Sequence, residues 1–157
     1  MRKPMTIAAV ALALLAVPAS ANWNTTRWGM TPEQVIAAFP GAVATEATKG
    51  SDVKGMHQLA TAPWKDGDVA MEAAFLFGAD GLAFVGLRVS DTAQCAAYKA
   101  TLIVRHGAGK VMGRELGGLT FGKVEWVDPA SHDRLMFSYI LKPDQSYSIC
   151  KFISEKP

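Results

Sequence analysis

Long hydrophobic runs are missing from this chain. The longest, Ile7 to Val17, has eleven residues. As a helix it would cover roughly 16 Å, about half of a ~30 Å hydrocarbon core, so no segment qualifies as a stable membrane span. Charge of one sign is missing as well. The chain carries 16 Lys and Arg against 14 Asp and Glu, and Arg2 and Lys3 supply the whole excess, leaving 14 against 14 from Asn22 onward. The totals leave no basic stripe for nucleic acid or anionic lipid. The densest local group, Arg105, Lys110 and Arg114, reads as a solvated turn.

Cysteine is scarce: Cys95 and Cys150 are the only two. A thioredoxin-type centre needs C-x-x-C, and a cysteine nucleophile needs a spare thiol. Histidine is scarcer than a metal site requires. His57, His106 and His132 show no i, i+4 pair and no H-x-H, and zinc wants several ligands at fixed offsets. No cofactor or metal is expected.

Motifs for catalysis are absent or incomplete. Ser131-His132-Asp133 holds triad residue types, but adjacent side chains point apart, and a triad is assembled from distant positions. Gly107-Ala108-Gly109-Lys110 has part of a phosphate loop, yet Val104 and Val111 stand where it needs glycine and Ser or Thr. Glu72, Glu115 and Glu125 are carboxylates that a fold could bring together, and nothing in the sequence selects a pair.

What is present begins with an export signal. Arg2 and Lys3 precede the apolar run, Pro18 breaks it, and Ala19-Ser20-Ala21 supplies small residues for a signal peptidase. Residues 1–21 read as a signal peptide cleaved between Ala21 and Asn22. The product is expected to be periplasmic or secreted from a bacterium, a single domain over residues 22–157. In that compartment Cys95 and Cys150 are expected to pair, closing a loop of about 55 residues, worth ~4 kcal/mol in the chain-entropy model.

Element signals follow. Thr31-Pro32-Glu33-Gln34 is a helix start with N-cap, proline at the first position and a capping box, and Pro40-Gly41 ends that helix. Residues 42–55 read as loop. Three strands are predicted at about Met56 to Pro63, Val69 to Phe77 and Leu82 to Val89, with Asp66-Gly67 and Asp80-Gly81 as turns. A second helix, about Thr92 to His106, takes Asp91 as N-cap and Gln94 as its box partner. The glycine-rich stretch to Gly118 reads as loop. Three more strands are predicted at about Leu119 to Val127, Arg134 to Leu141 and Ser146 to Ile153. The order α-βββ-α-βββ is a weak internal repeat. It predicts an α+β fold: an antiparallel sheet of about six strands with two helices on one face. Two three-stranded half-domains side by side are the alternative.

Four tryptophans stand out. Trp28 and Trp126 read as core. Trp23 and Trp64, in lead-in and turn-proximal segments, are the candidate partner-binding residues.

The segment Trp28-Gly29-Met30-Thr31-Pro32-Glu33-Gln34-Val35 resembles the W-G-M-[ST]-x-x-x-V start of small exported bacterial proteins. The helix-then-hairpins order resembles β-lactamase-inhibitor-like proteins and the outer-membrane assembly lipoproteins of the SmpA/OmlA type. The chain departs from the lipoproteins in lacking their lipid-bearing cysteine. The resemblance implies a small exported α+β fold and transfers no functional residue.

These readings lead to one expectation: a non-enzymatic periplasmic binding protein. It would present an open sheet face, or the Gly107 to Gly118 stretch, to an envelope protein partner. The alternatives are a hydrolase whose residues meet only in three dimensions, and a carrier of a small apolar ligand between helices and sheet, lined by Phe75, Phe77, Phe84 and Tyr98.

Overall fold

The computed structural model describes residues 23–47 and 53–157. The signal peptide read over residues 1–21 lies outside the described residues.

The first helix forms where its caps require. Thr31 is extended, its hydroxyl accepts from the Gln34 amide, the Gln34 side chain accepts from the Thr31 amide, and α1 spans Pro32–Ala38. The second start differs from expectation. The Asp91 carboxylate accepts from the Ala93 amide at 3.0 Å and opens one 3₁₀ turn, Thr92–Gln94, before α2 at Cys95–His106. Gln94 makes no side-chain cap bond. Gly107, at φ +82°, ends α2 in a conformation that L side chains rarely adopt.

Eight strands follow the two helices in a repeated pattern. They are β1 (Val43–Ala44), β2 (His57–Asp66), β3 (Val69–Gly78), β4 (Gly81–Val89), β5 (Lys110–Leu116), β6 (Leu119–Val127), β7 (Arg134–Leu141) and β8 (Tyr147–Glu155). All lie in one antiparallel sheet of order β1-β2-β3-β4-β8-β7-β6-β5. This corrects the six-strand α+β expectation: among the described residues the order is α-ββββ-α-ββββ, mostly sheet and 17% helical. Each half gained one strand. Two-residue β1 is too short to show alternation. At β5, glycines at 107, 109, 117 and 118 flank a seven-residue strand that contains only Gly113, and their density disguised it as loop. Nor are there two half-domains. β4 and β8 join the halves, with Val85 opposite Ser154 and Leu87 opposite Phe152.

Strand alternation sends one set of side chains toward the helices. Val35 and Phe39 near α1, and Cys95, Tyr98 and Leu102 of α2, pack with Phe75, Val85, Leu87, Phe137 and Phe152 in one core. Each large side chain buried there is worth ~1.5–3 kcal/mol. The Cys95–Cys150 disulfide, with Cα atoms 6.0 Å apart, joins the first turn of α2 to the middle of β8. Polar stitches tie the halves. Arg105 grips Asp66 through two bonds of 2.7 and 3.0 Å, the Tyr98 hydroxyl donates to the same carboxylate, and the Trp28 indole donates to Asp133 at 2.8 Å.

Candidate binding face

The face of the sheet turned away from the helices is built differently at its two ends. Around Leu76 of β3, Phe84 of β4 and Ile153 of β8 it is covered, while Glu72 and Arg88 farther along β3 and β4 stay exposed. Met56, just before β2, packs with Leu76, Phe84 and Ile153 in a second small core. Beside it, Lys54 reaches the Glu155 carboxylate at 2.8 Å.

Over β5 to β8 no chain covers this face among the described residues. The register sets its composition. One cross-strand row runs Arg114, Phe121, Ile140, Ile149, and the next runs Met112, Lys123, Ser138, Lys151. Together they line a depression of ≈ 500 Å³, within the range of small-ligand sites. The lining contains three cations and no carboxylate. Lys123 is held at 2.6 Å by Glu125, two residues along the same strand. The Arg114 guanidinium sits 5.7 Å from the centroid of the Phe121 ring, a cation–π contact of about 0.5–1 kcal/mol at an exposed site. Lys151 is exposed. The result is an apolar floor edged by Arg114 and Lys151, with Lys123 already paired to Glu125.

A second cleft, ≈ 330 Å³, lies on the helix side and is lined by His106, Asp128, Ser131 and Asp133. These are hydrolase residue types, and Asp128, Ser131 and Asp133 are tied into structural bonds. One Asp128 oxygen accepts from the Ala130 amide, the Ser131 amide and the Ser131 hydroxyl. Those bonds hold its carboxyl below the usual range, which makes it a poor base. Asp133 is taken by Trp28. His106 stacks on Phe152, with centroids 6.0 Å apart, and burial lowers its pKa. The cluster builds the β6–β7 turn, in which His132 takes φ 62°. Among the described residues, no three His, Cys, Asp or Glu side chains are grouped to hold a metal ion.

The other residues singled out in the sequence are dispersed. Trp23 stacks on Phe39 at 5.3 Å and meets Trp64 edge-on at 5.2 Å, so both are half-buried against the helix-side core. Trp64 lies on β2, two residues before the Asp66-Gly67 turn, and it lines a third depression of ≈ 600 Å³ with Phe39, Pro63 and Met71. Glu72 pairs with Arg88 at 3.3 Å on the first half of the sheet, whereas Glu125 belongs to the second. Glu115 lies on β5, opposite Thr120. No carboxylate pair converges among the three. Phe75, Phe77 and Tyr98 fill the main core while Phe84 belongs to the small core on the other face, so these four do not enclose one cavity.

Sequence reading missed Arg114, Lys123 and Lys151 as a group. The signal was present: Met112 and Arg114, Phe121 and Lys123, and Ile149 and Lys151 each sit two apart on a strand, which places each pair on one face. Lacking β5 and the strand order, nothing connected them. Among the described residues no helix is long and apolar enough to cross a membrane. No family model, curated protein or solved structure matches the chain.

Proposed function

We propose that this chain is a non-enzymatic binding protein of the bacterial envelope. It is exported by its N-terminal signal, cleaved between Ala21 and Asn22, and engages a protein partner through the bare half of its sheet. One observation carries the reading: the same sheet face is covered at one end and left open at the other, and the open end joins apolar floor to cations with no carboxylate in the lining. Aromatic and aliphatic floors flanked by charge are the usual composition of interface centres. The resemblance of the Trp28 to Val35 segment to the start of small exported bacterial proteins belongs to the same proposal.

The test is site-specific crosslinking in living cells. A photoreactive phenylalanine analogue replaces Ile140 in the depression or, as control, Glu72 on the other half of the same face. Crosslinks to an envelope protein are expected from position 140 and not from 72. Equal yields from both positions, or no crosslink together with turnover of a hydrolase substrate panel, would overturn the reading.

A further inference from the structure

The two edges of the sheet are not equivalent. At one edge, β1 shields only Ala60 and Thr61 of β2, and the residues beyond include Pro63, which has no amide to donate. At the other edge β5 runs seven residues, contains no proline, and keeps an unbroken register with β6 from Lys110↔Glu125 to Leu116↔Leu119. It ends the sheet, with no strand on its outer side among the described residues, and its side chains Val111 and Leu116 are 66% and 61% exposed. Alternate residues of such an edge point free N–H and C=O groups outward, a template for one more strand. This edge also borders the basic depression, because Met112 and Arg114 belong to both.

We propose that β5 takes up an extended segment of an acidic and apolar protein partner as a ninth strand. This deepens the proposed function and rests on it. The register defines the partner's pattern. On the depression side β5 presents Leu116, Arg114, Met112 and Lys110 in that order to an antiparallel strand. The complementary segment, from its N-terminus, reads apolar, x, acidic, x, apolar, x, acidic. Cross-strand pairs of opposite charge and of apolar side chains stabilise, and like charges repel. A second copy of this chain fits less well. Antiparallel pairing of two β5 strands about Gly113 would set the two Arg114 side chains diagonally across the seam, and the Glu125 carboxylate on that face is already held by Lys123.

The experiment uses a capped seven-residue peptide, leucine-threonine-glutamate-threonine-leucine-threonine-glutamate, titrated into the purified isotope-labelled chain. Amide hydrogen exchange is read residue by residue. The outward-facing amides of β5 are expected to exchange at least tenfold more slowly at saturation. A peptide with lysine in place of both glutamates should bind about tenfold more weakly, and Arg114→Glu should abolish that preference, because the new carboxylate favours lysine while Lys110 still favours glutamate. A peptide N-methylated at the amides that face β5 should give no protection. If the N-methylated peptide binds equally, side chains alone make the contact and strand addition is wrong. If the lysine peptide binds as well as the glutamate peptide, the acidic class is wrong. If β5 is protected without peptide and the chain sediments as a dimer, the occupant is a second copy. If no peptide protects β5 while crosslinks from position 140 persist, strand addition fails and the binding-face reading stands. If both are lost, both fail.

Discussion

The two halves of this molecule share a plan, one helix followed by four strands, and use it to different ends. The first half closes the helix side of its sheet and part of the far side. Phe75 on the helix side meets Phe39 and Trp23 in an aromatic cluster, with ring centroids 5.2 and 5.9 Å away, and Met56 seals part of the far face. The second half closes one face only. There α2 is fastened by a disulfide as well as by ring contacts of Tyr98 with Phe137 and of His106 with Phe152, and the far side is left apolar, cationic and bare. An antiparallel sheet tolerates one solvated face, but such a face is ordinarily polar. An apolar floor left open beside a partly covered one is the contrast on which the proposed binding role rests.

If the first half is scaffold, its cluster should dominate stability. Phe75 is fully buried and touches both rings, so Phe75→Ala should cost about 3–5 kcal/mol. Urea denaturation checks this. A cost below ~1 kcal/mol would mean the aromatic cluster is not the anchor of that half.

The second half should fail by a different route. Removing the disulfide by Cys95→Ala with Cys150→Ala should cost about 2–4 kcal/mol, with exchange protection lost first in α2 and β8. Uniform loss across both halves would show that the halves are not separable even locally.

Met56 tests the covered face directly. Met56→Ala removes the middle of the small core and should cost about 2 kcal/mol, the low end for a buried methionine at a site that is still 9% exposed. It should also raise binding of a hydrophobic dye, turning the covered face into a second bare one. Unchanged dye binding would mean that Leu76 and Phe84 stay sealed without it.

How far the sequence reveals this depends on the kind of signal. Capping is local, so Thr31 and Gln34 announced α1 correctly. The compartment argument found the cysteine pair because only two cysteines exist. Alternation found the long strands. What escaped was whatever depends on neighbours. Gln94 had the right spacing for a box and made no cap bond, because a 3₁₀ turn precedes α2. Trp23 and Trp64 looked like exposed anchors because their segments are irregular or near a turn, and the fold turns them onto each other. The depression escaped because its cations come from β5, β6 and β8, and only the strand order brings them side by side.

The seam between the halves has its own pH signature. Arg105 beside Asp66, with the Tyr98 hydroxyl, holds the Asp66 carboxyl below its ordinary value, and the same pairing raises Arg105. A carboxyl whose folded pKa lies below its unfolded value, ~3.9, contributes stability that is complete above that value and lost as pH falls through the folded one. Stability should therefore drop below about pH 4, and Asp66→Asn should be less stable at neutral pH and show a shallower acid limb. Parallel acid limbs for the two proteins would remove Asp66 from the account.

The smallest effect is expected at the ion pair beside Met56. Lys54 and Glu155 lie 2.8 Å apart, but the lysine side chain is 60% exposed, and Glu155 also pairs with Arg134 at 3.4 Å. Removing the lysine leaves that carboxylate a partner and places no bare charge in the core. Exposed pairs of this kind are worth about 0–1 kcal/mol, so Lys54→Ala should lie at the bottom of that range and fade further in high salt. The contrast with Met56→Ala separates two explanations of the cover. If apolar burial holds it, only the methionine change exposes the small core to dye. If Lys54→Ala costs as much as Met56→Ala, the cover is latched by charge, and the difference between the two halves is electrostatic rather than a matter of packing.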